Sequence, residues 1–366
     1  MRTFNFLVLA ILGFFFASCG SDDDHLGDWA KASQFAGSDR LGAVSFVIND
    51  VAYVGLGYGN NDAEYQDFWK FDYTSGSWTR INDFPGEARH AAVAFVIGNK
   101  AYVGSGYRSN TNTTTLKYYD DFWVFDPVAD GGKGSWSQID NLPVKCRDAV
   151  AFANDKYGYV GTGRNRENNQ DLIYKDFYKF DPTAAAGQQW KILDGKSGFI
   201  GDKRYGASAF VVGGYAYVCL GTDGAGVLRD MSKFDFATET WTPMGALTNK
   251  PDVKQDKDYD RIPRAYAITF VSDKGKDGQP YAYVATGMGG TSPRTVWRYN
   301  HNRDQWHQME DLSYYAANVT MGVGFAVGGF GYYTTGGSGT DEYGVRVYAA
   351  TWKFIPDIKE DKRNDY

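Results

Sequence analysis

Cysteine is scarce in this chain of 366 residues: Cys19, Cys146 and Cys219 are all it has. Three cannot form a disulfide framework. Cys146 and Cys219 are expected as buried free thiols, with a single bridge between them as the alternative. Histidine is equally thin, at four residues, so no metal centre and no other cofactor is expected. Basic runs are missing, and the net charge is −6. That excludes nucleic acid as a partner, because neutralising phosphates takes clustered Lys and Arg. Beyond the N-terminus no stretch is long and apolar enough to read as a membrane-spanning helix.

Aromatic residues and glycine are plentiful instead. Phe, Trp and Tyr make up 17% of the chain, and there are 44 glycines. A large core and many short strands joined by turns are implied.

Residues 1–18 carry one Arg, then an apolar run, then small residues, the form of a secretory signal. The following Cys19 sits in Ala-Ser-Cys, which resembles a bacterial lipobox with Phe16 where Leu is usual. Residues 19–26 then form a tether bearing Asp22, Asp23 and Asp24. That acidic run resembles the surface-export signal of Bacteroidetes lipoproteins. The plainer alternatives are an ordinary signal peptide with an incidental Cys and a solvated linker. The expectation is an outer-membrane lipoprotein, lipidated at Cys19, exposed at the cell surface and held by acyl chains.

From residue 27 to residue 356 the sequence repeats itself. DFWKFD at 67–72 returns as DFWVFD at 121–126 and DFYKFD at 176–181. Before each copy lie a small apolar strand, often led by Arg, and a Tyr-Val strand ending in Gly. After each comes a lone Trp: Trp78, Trp136, Trp190, Trp241 and Trp306, spaced 51 to 65 residues apart. Six units can be aligned, but only five such Trp follow them. Trp29 supplies the sixth, so the N-terminal segment should complete the last unit and close a ring. Residues 357–366 are a charged tail.

Four-stranded units at about 50 residues are the mark of a propeller. The Arg before the inner strand, the Gly-Gly turns at 213–214 and 328–329, the Tyr of the second strand and the spaced Trp resemble the kelch repeat. The expected fold is all-β, a six-bladed kelch β-propeller. Such propellers host enzymes, glycan binders and scaffolds alike, so the resemblance leaves function open.

Strand order brings the loops before each inner strand and the loops between second and third strands to one mouth of the ring. Arg40, Arg89, Arg204 and Arg264 stand six residues before the inner-strand Phe, and Arg147 stands five before, behind Cys146. They are either a ring of anion-binding groups or structural ties for loop carbonyls. Tyr58, Tyr107 and Arg164 complete the candidate ligand-binding set. Glu87 and His90 are the candidate catalytic residues, with Asp148 and Glu167 as further titratable groups. In the long segment 245–264 the alternating carboxylates of DKDYD at 256–260 lack the Gly and distal Glu of an EF-hand, and the segment as a whole reads as a solvated lid.

Galactose oxidase, a kelch-like enzyme, holds copper with His and Tyr; here His25 lies in the tether and His301 and His307 flank an outer turn, which argues against a copper site. The exported six-bladed chain and its Arg-lined mouth also resemble the bacterial N-acetylneuraminate epimerases. The expected function is therefore a non-catalytic binding module for a glycan or an outer-membrane protein partner. The alternative is an epimerase or mutarotase of an acidic sugar.

Overall fold

The computed structural model describes residues 25–110, 115–249, 258–290, 294–313, 316, 319–338 and 346–359. Cys19, Asp22, Asp23 and Asp24 lie outside the described residues. Six four-stranded antiparallel sheets form the blades. In blade one the strands, from inner to outer, are Val44–Ile48, Val51–Gly55, Phe68–Asp72 and Ser77–Arg80. Inner strands of neighbouring blades lie side by side: Ser45 Oγ donates to the Gly324 carbonyl at 3.2 Å, and Thr269 Oγ1 to that of Ala209 at 3.1 Å.

Two aromatic contacts recur in every blade. The inner-strand Phe stacks on the second-strand Tyr, from Phe46–Tyr53 at 5.0 Å to Phe325–Tyr332 at 5.6 Å. The outer-strand Trp tilts against the last aromatic of the third strand, as in Phe71–Trp78 at 4.7 Å and Tyr299–Trp306 at 4.9 Å. Each such pair adds about 0.5–1.5 kcal/mol beyond the area it buries. The repeated phrase is thus a packing motif, which explains why it recurs without carrying chemistry.

The ring closes as the Trp count requires. Asp28–Ala32 pairs antiparallel with Thr351–Ile355, placing Trp29 opposite Phe354. Trp29 is buried and sits 4.9 Å from the Phe354 ring, the same contact the other five Trp make. The last blade therefore joins the two ends of the chain, and no sheet edge is left open between first and last blades.

One loop differs from expectation. In the segment expected as a solvated lid, Tyr259 and Ile262 are buried. The Tyr259 hydroxyl donates to the Trp306 carbonyl at 3.2 Å and accepts its amide at 2.7 Å, docking this stretch on blade five's outer strand. Asp260 accepts a hydrogen bond from Arg229 Nη1 at 2.7 Å.

Candidate functional site

Two closed circles of backbone hydrogen bonds build the mouth. In the first, each glycine two residues past the end of a second strand donates to the residue six before the next blade's inner Phe. Gly57 donates to the Arg89 carbonyl, Gly106 to Cys146, Gly163 to Arg204, Gly221 to Arg264, Gly287 to Val319 and Gly336 to Arg40. These glycines have φ between 85° and 112°, and at Gly106 an added Cβ would lie 2.7 Å from the His90 carbonyl. Only glycine combines that conformation with so close an approach.

The second circle is made of equivalent residues throughout. It runs through the residues four before each inner Phe: Gly42, Ala91, Asp148, Gly206, Tyr266 and Met321. Each donates its amide to the preceding blade's equivalent carbonyl, at 2.8–3.4 Å, and the last link returns to the first. All six are left-handed, with φ of 53–61°. Four are not glycine, and such strain is held only where the surroundings enforce it.

This frame sorts the arginines. Arg40, Arg89, Arg204 and Arg264 are almost entirely buried. Arg40 Nη1 and Nη2 clasp Asp67 at 2.6 and 3.0 Å, while Nη1 also reaches the Leu56 carbonyl and Nε that of Ser38. Arg89 repeats this with Asp121, Ser105 and Glu87, and Arg204 bonds Asp230 through Nη2 alone and the carbonyls of Leu220 and Asp202. Arg264 has Thr295 in place of a carboxylate, and burial pulls its guanidinium down to about 10. A ring of anion-binding groups at these four positions does not fit. Their donors are spent on loop carbonyls and carboxylates, and no face is left for a ligand. Tyr58 and Tyr107 are likewise buried.

Blade three breaks the pattern. Cys146 occupies the position of the structural arginine, and Arg147 moves one place on, to the place five before the inner Phe that Leu41, His90 and Tyr205 hold in other blades, where it bridges to Arg164. Its guanidinium lies over the Tyr107 ring at 3.6 Å. Arg164, on the hairpin Arg164–Glu167 with Gln170–Ile173, lies over Tyr205 at 4.2 Å. Both converge on Asp148: Arg164 Nε donates to Oδ2 at 2.9 Å, and Arg147 Nε is 3.6 Å from the same oxygen. The Tyr266 hydroxyl adds a second hydrogen bond to Oδ2 at 3.2 Å. Burial would push the Asp148 carboxyl up, but Arg147 and Arg164 together outweigh it and hold it below the usual range. Two guanidinium groups on one carboxylate leave one positive charge in a cup walled by tyrosines.

His90 is also buried there, its ring 4.0 Å from Tyr107. Its Nδ1 lies 3.2 Å from Oε1 of Glu64, which is itself buried and accepts the Ser109 amide at 2.8 Å. Glu87 stands apart on the rim. It bonds Lys117 and the Tyr119 hydroxyl, and the Lys117 contact chiefly keeps its carboxyl below the ordinary range. Cys146 and Cys219 are free buried thiols, both pushed up to about 12 by burial.

Arg147, Arg164 and His90 were legible as candidates. Glu64, Tyr205 and Tyr266 were not singled out. Counting four and five residues back from each inner Phe finds Asp148, Tyr205 and Tyr266, so the register held that signal. Glu64 sits in a loop that repeats nowhere else.

Comparison with known proteins agrees with this architecture. The family described as the KLHDC2/KLHL20/DRC7 Kelch-repeats domain matches residues 28–219, and the Kelch motif matches residues 203–248. No curated protein sequence matches the chain. The solved structure of YjhT is similar in fold, with a TM-score of 0.65 at 16% identity, covering 87% of this chain and 95% of that one.

Proposed function

The chain belongs to the kelch-repeat family, and on that scaffold we propose a binding module whose mouth takes the acidic end of a glycan. The observation that carries this reading is the convergence of Arg147 and Arg164 on the single carboxylate of Asp148. The surplus positive charge suits one carboxylate, and a guanidinium edge offers the paired donors such a group accepts. Tyr205 and Tyr107 hold the two planes in place, so little ordering is left to binding. A lipid anchor at Cys19 and display on the cell surface belong to the same reading. Metabolic palmitate labelling of the full chain checks it; persistence of the label in Cys19→Ala would remove the anchor.

The test of the mouth is a thermal-shift and calorimetric titration with glucuronate, galacturonate and N-acetylneuraminate against neutral galactose. A ligand at a hundred times its Kd adds about 2.7 kcal/mol to stability. An acidic sugar should give that shift and galactose should not. Arg164→Ala should weaken binding at least about tenfold, the scale of one lost charge-assisted pair. No response to any acidic sugar, or an unchanged response in Arg164→Ala, sinks the reading and turns attention to a protein partner.

The buried His90–Glu64 pair favours a second reading, a mutarotase of an acidic sugar. An imidazole held by a carboxylate beside the cup is suited to moving a proton at an anomeric hydroxyl. In the same titrations, NMR would then show faster anomer exchange with the protein, and His90→Gln would abolish it. Exchange at the uncatalysed rate removes this reading and leaves binding alone.

A further inference from the structure

The register change in blade three leaves something behind as well as something gained. In blades one, two and four an arginine pairs with the residue just before the third strand: Arg40 with Asp67, Arg89 with Asp121, Arg204 with Asp230. Blade five keeps the arginine but pairs it with Thr295. Blade six has lost both members, with Val319 and Ala350 at the two positions. Each of these blades is chemically matched. Blade three is not: it keeps the acid, Asp176, and puts Cys146 where the cation belongs.

Part of the socket is kept: the Phe five residues before each paired arginine (Phe35, Phe84 and Phe199) has no aromatic counterpart in blade three, where Asn141 and Leu142 stand, but the tyrosine remains. In blades one and two the guanidinium lies over a tyrosine two residues before the acid, Tyr65 at 4.1 Å and Tyr119 at 3.9 Å. Blade three keeps Tyr174 at that place. A cavity remains, lined by Leu142, Val144, Cys146, Thr162, Tyr174 and Asp176. The Thr162 hydroxyl is buried on its wall without a hydrogen-bond partner among the described residues. Asp176 has no ion-pair partner among the described residues, and it is exposed, so the socket opens to solvent.

We infer that this vacant socket binds a guanidinium group supplied from outside, the side chain of an arginine. The partner chemistry is written twice in full in the same molecule, in blades one and two: a carboxylate for two N–H donors, a tyrosine face for the cationic plane and a carbonyl of the adjoining loop. Asp176 and Tyr174 would shift to admit the group, because the cavity as it stands is small. The socket is separate from the Arg147–Arg164 cup, so it stands or falls independently of the glycan reading.

The test uses the purified full chain and its melting temperature. Guanidinium at about 10 mM, far below denaturing concentrations, should raise Tm in a saturable way if it binds the native state. Sodium and tetramethylammonium at equal ionic strength should not. The rise should vanish in Asp176→Asn. It should also vanish in Cys146→Arg, which fills the socket from within and should itself melt higher than the parent. Free L-arginine and a blocked Gly-Arg-Gly peptide then distinguish a small-molecule source from a protein-borne one by which binds tighter. A Tm unmoved by guanidinium, moved equally by sodium, or still moved in Asp176→Asn overturns the inference. The Asn variant decides the matter even if Cys146→Arg does not fold.

Discussion

Arg89→Ala should destabilise the protein by about 3–5 kcal/mol, the usual cost of removing one partner of a buried ion pair. The side chain is 1% exposed. Its loss strips Asp121 of two hydrogen bonds, at 2.5 and 2.9 Å, and leaves the Ser105 and Glu87 carbonyls without these donors. It also empties the space over Tyr119. Urea unfolding of parent and variant measures the difference. A second signature separates the ion pair from mere packing. Burial opposes ionisation of Asp121, but its bonds and charge attraction to Arg89 outweigh that and hold the folded carboxyl below its ordinary range. A depressed carboxyl stabilises the fold fully above its unfolded pKa, near about 4, and that contribution disappears as pH falls through the folded value. Arg89→Ala should therefore lose less stability than the parent does as pH drops below about 4. Equal acid sensitivity in the two proteins, or a loss under about 1 kcal/mol, would show that the pair is not what ties this loop.

Trp29→Ala should cost a similar amount, about 3–5 kcal/mol for a large buried aromatic, and should do so from the far end of the chain. Trp29 packs against Phe270, Tyr333 and Phe354 at 6.2, 5.4 and 4.9 Å. It holds the strand that seals the ring. Losing that strand uncovers the Thr351–Ile355 edge, so the variant should also self-associate. Thermal melts and size-exclusion chromatography read the two effects. Trp29→Phe is the control: it keeps an aromatic ring in place and removes an indole N–H that has no hydrogen-bond partner among the described residues, so most of the loss should be recovered. If alanine at this position left Tm unchanged and the protein monomeric, ring closure would not depend on the N-terminal strand.

Both effects rest on features legible in the sequence, but to different depths. The blade count, the four strands and the closing role of Trp29 followed from repetition, because a repeat that must bury its aromatic face writes the same residues each time. The arginines were visible too, yet their role was undecided between ligand and scaffold. That depended on whether an acceptor stood within reach. Asp67, Asp121 and Asp230 lie 26 to 32 residues away in the chain, and pairing of the second and third strands brings them close.

By itself, then, the chain determined a six-bladed kelch ring and the place where it closes. Packing periodicity is local and repeated, so it survives being read one unit at a time. Tertiary structure decided which charged groups are spent and which are presented. One residue of register in blade three turns Arg147 into the cup with Asp148 and leaves Asp176 without its cation. That consequence exists only once blades three, four and five meet around the axis and Tyr205 and Tyr266 close on the same carboxylate.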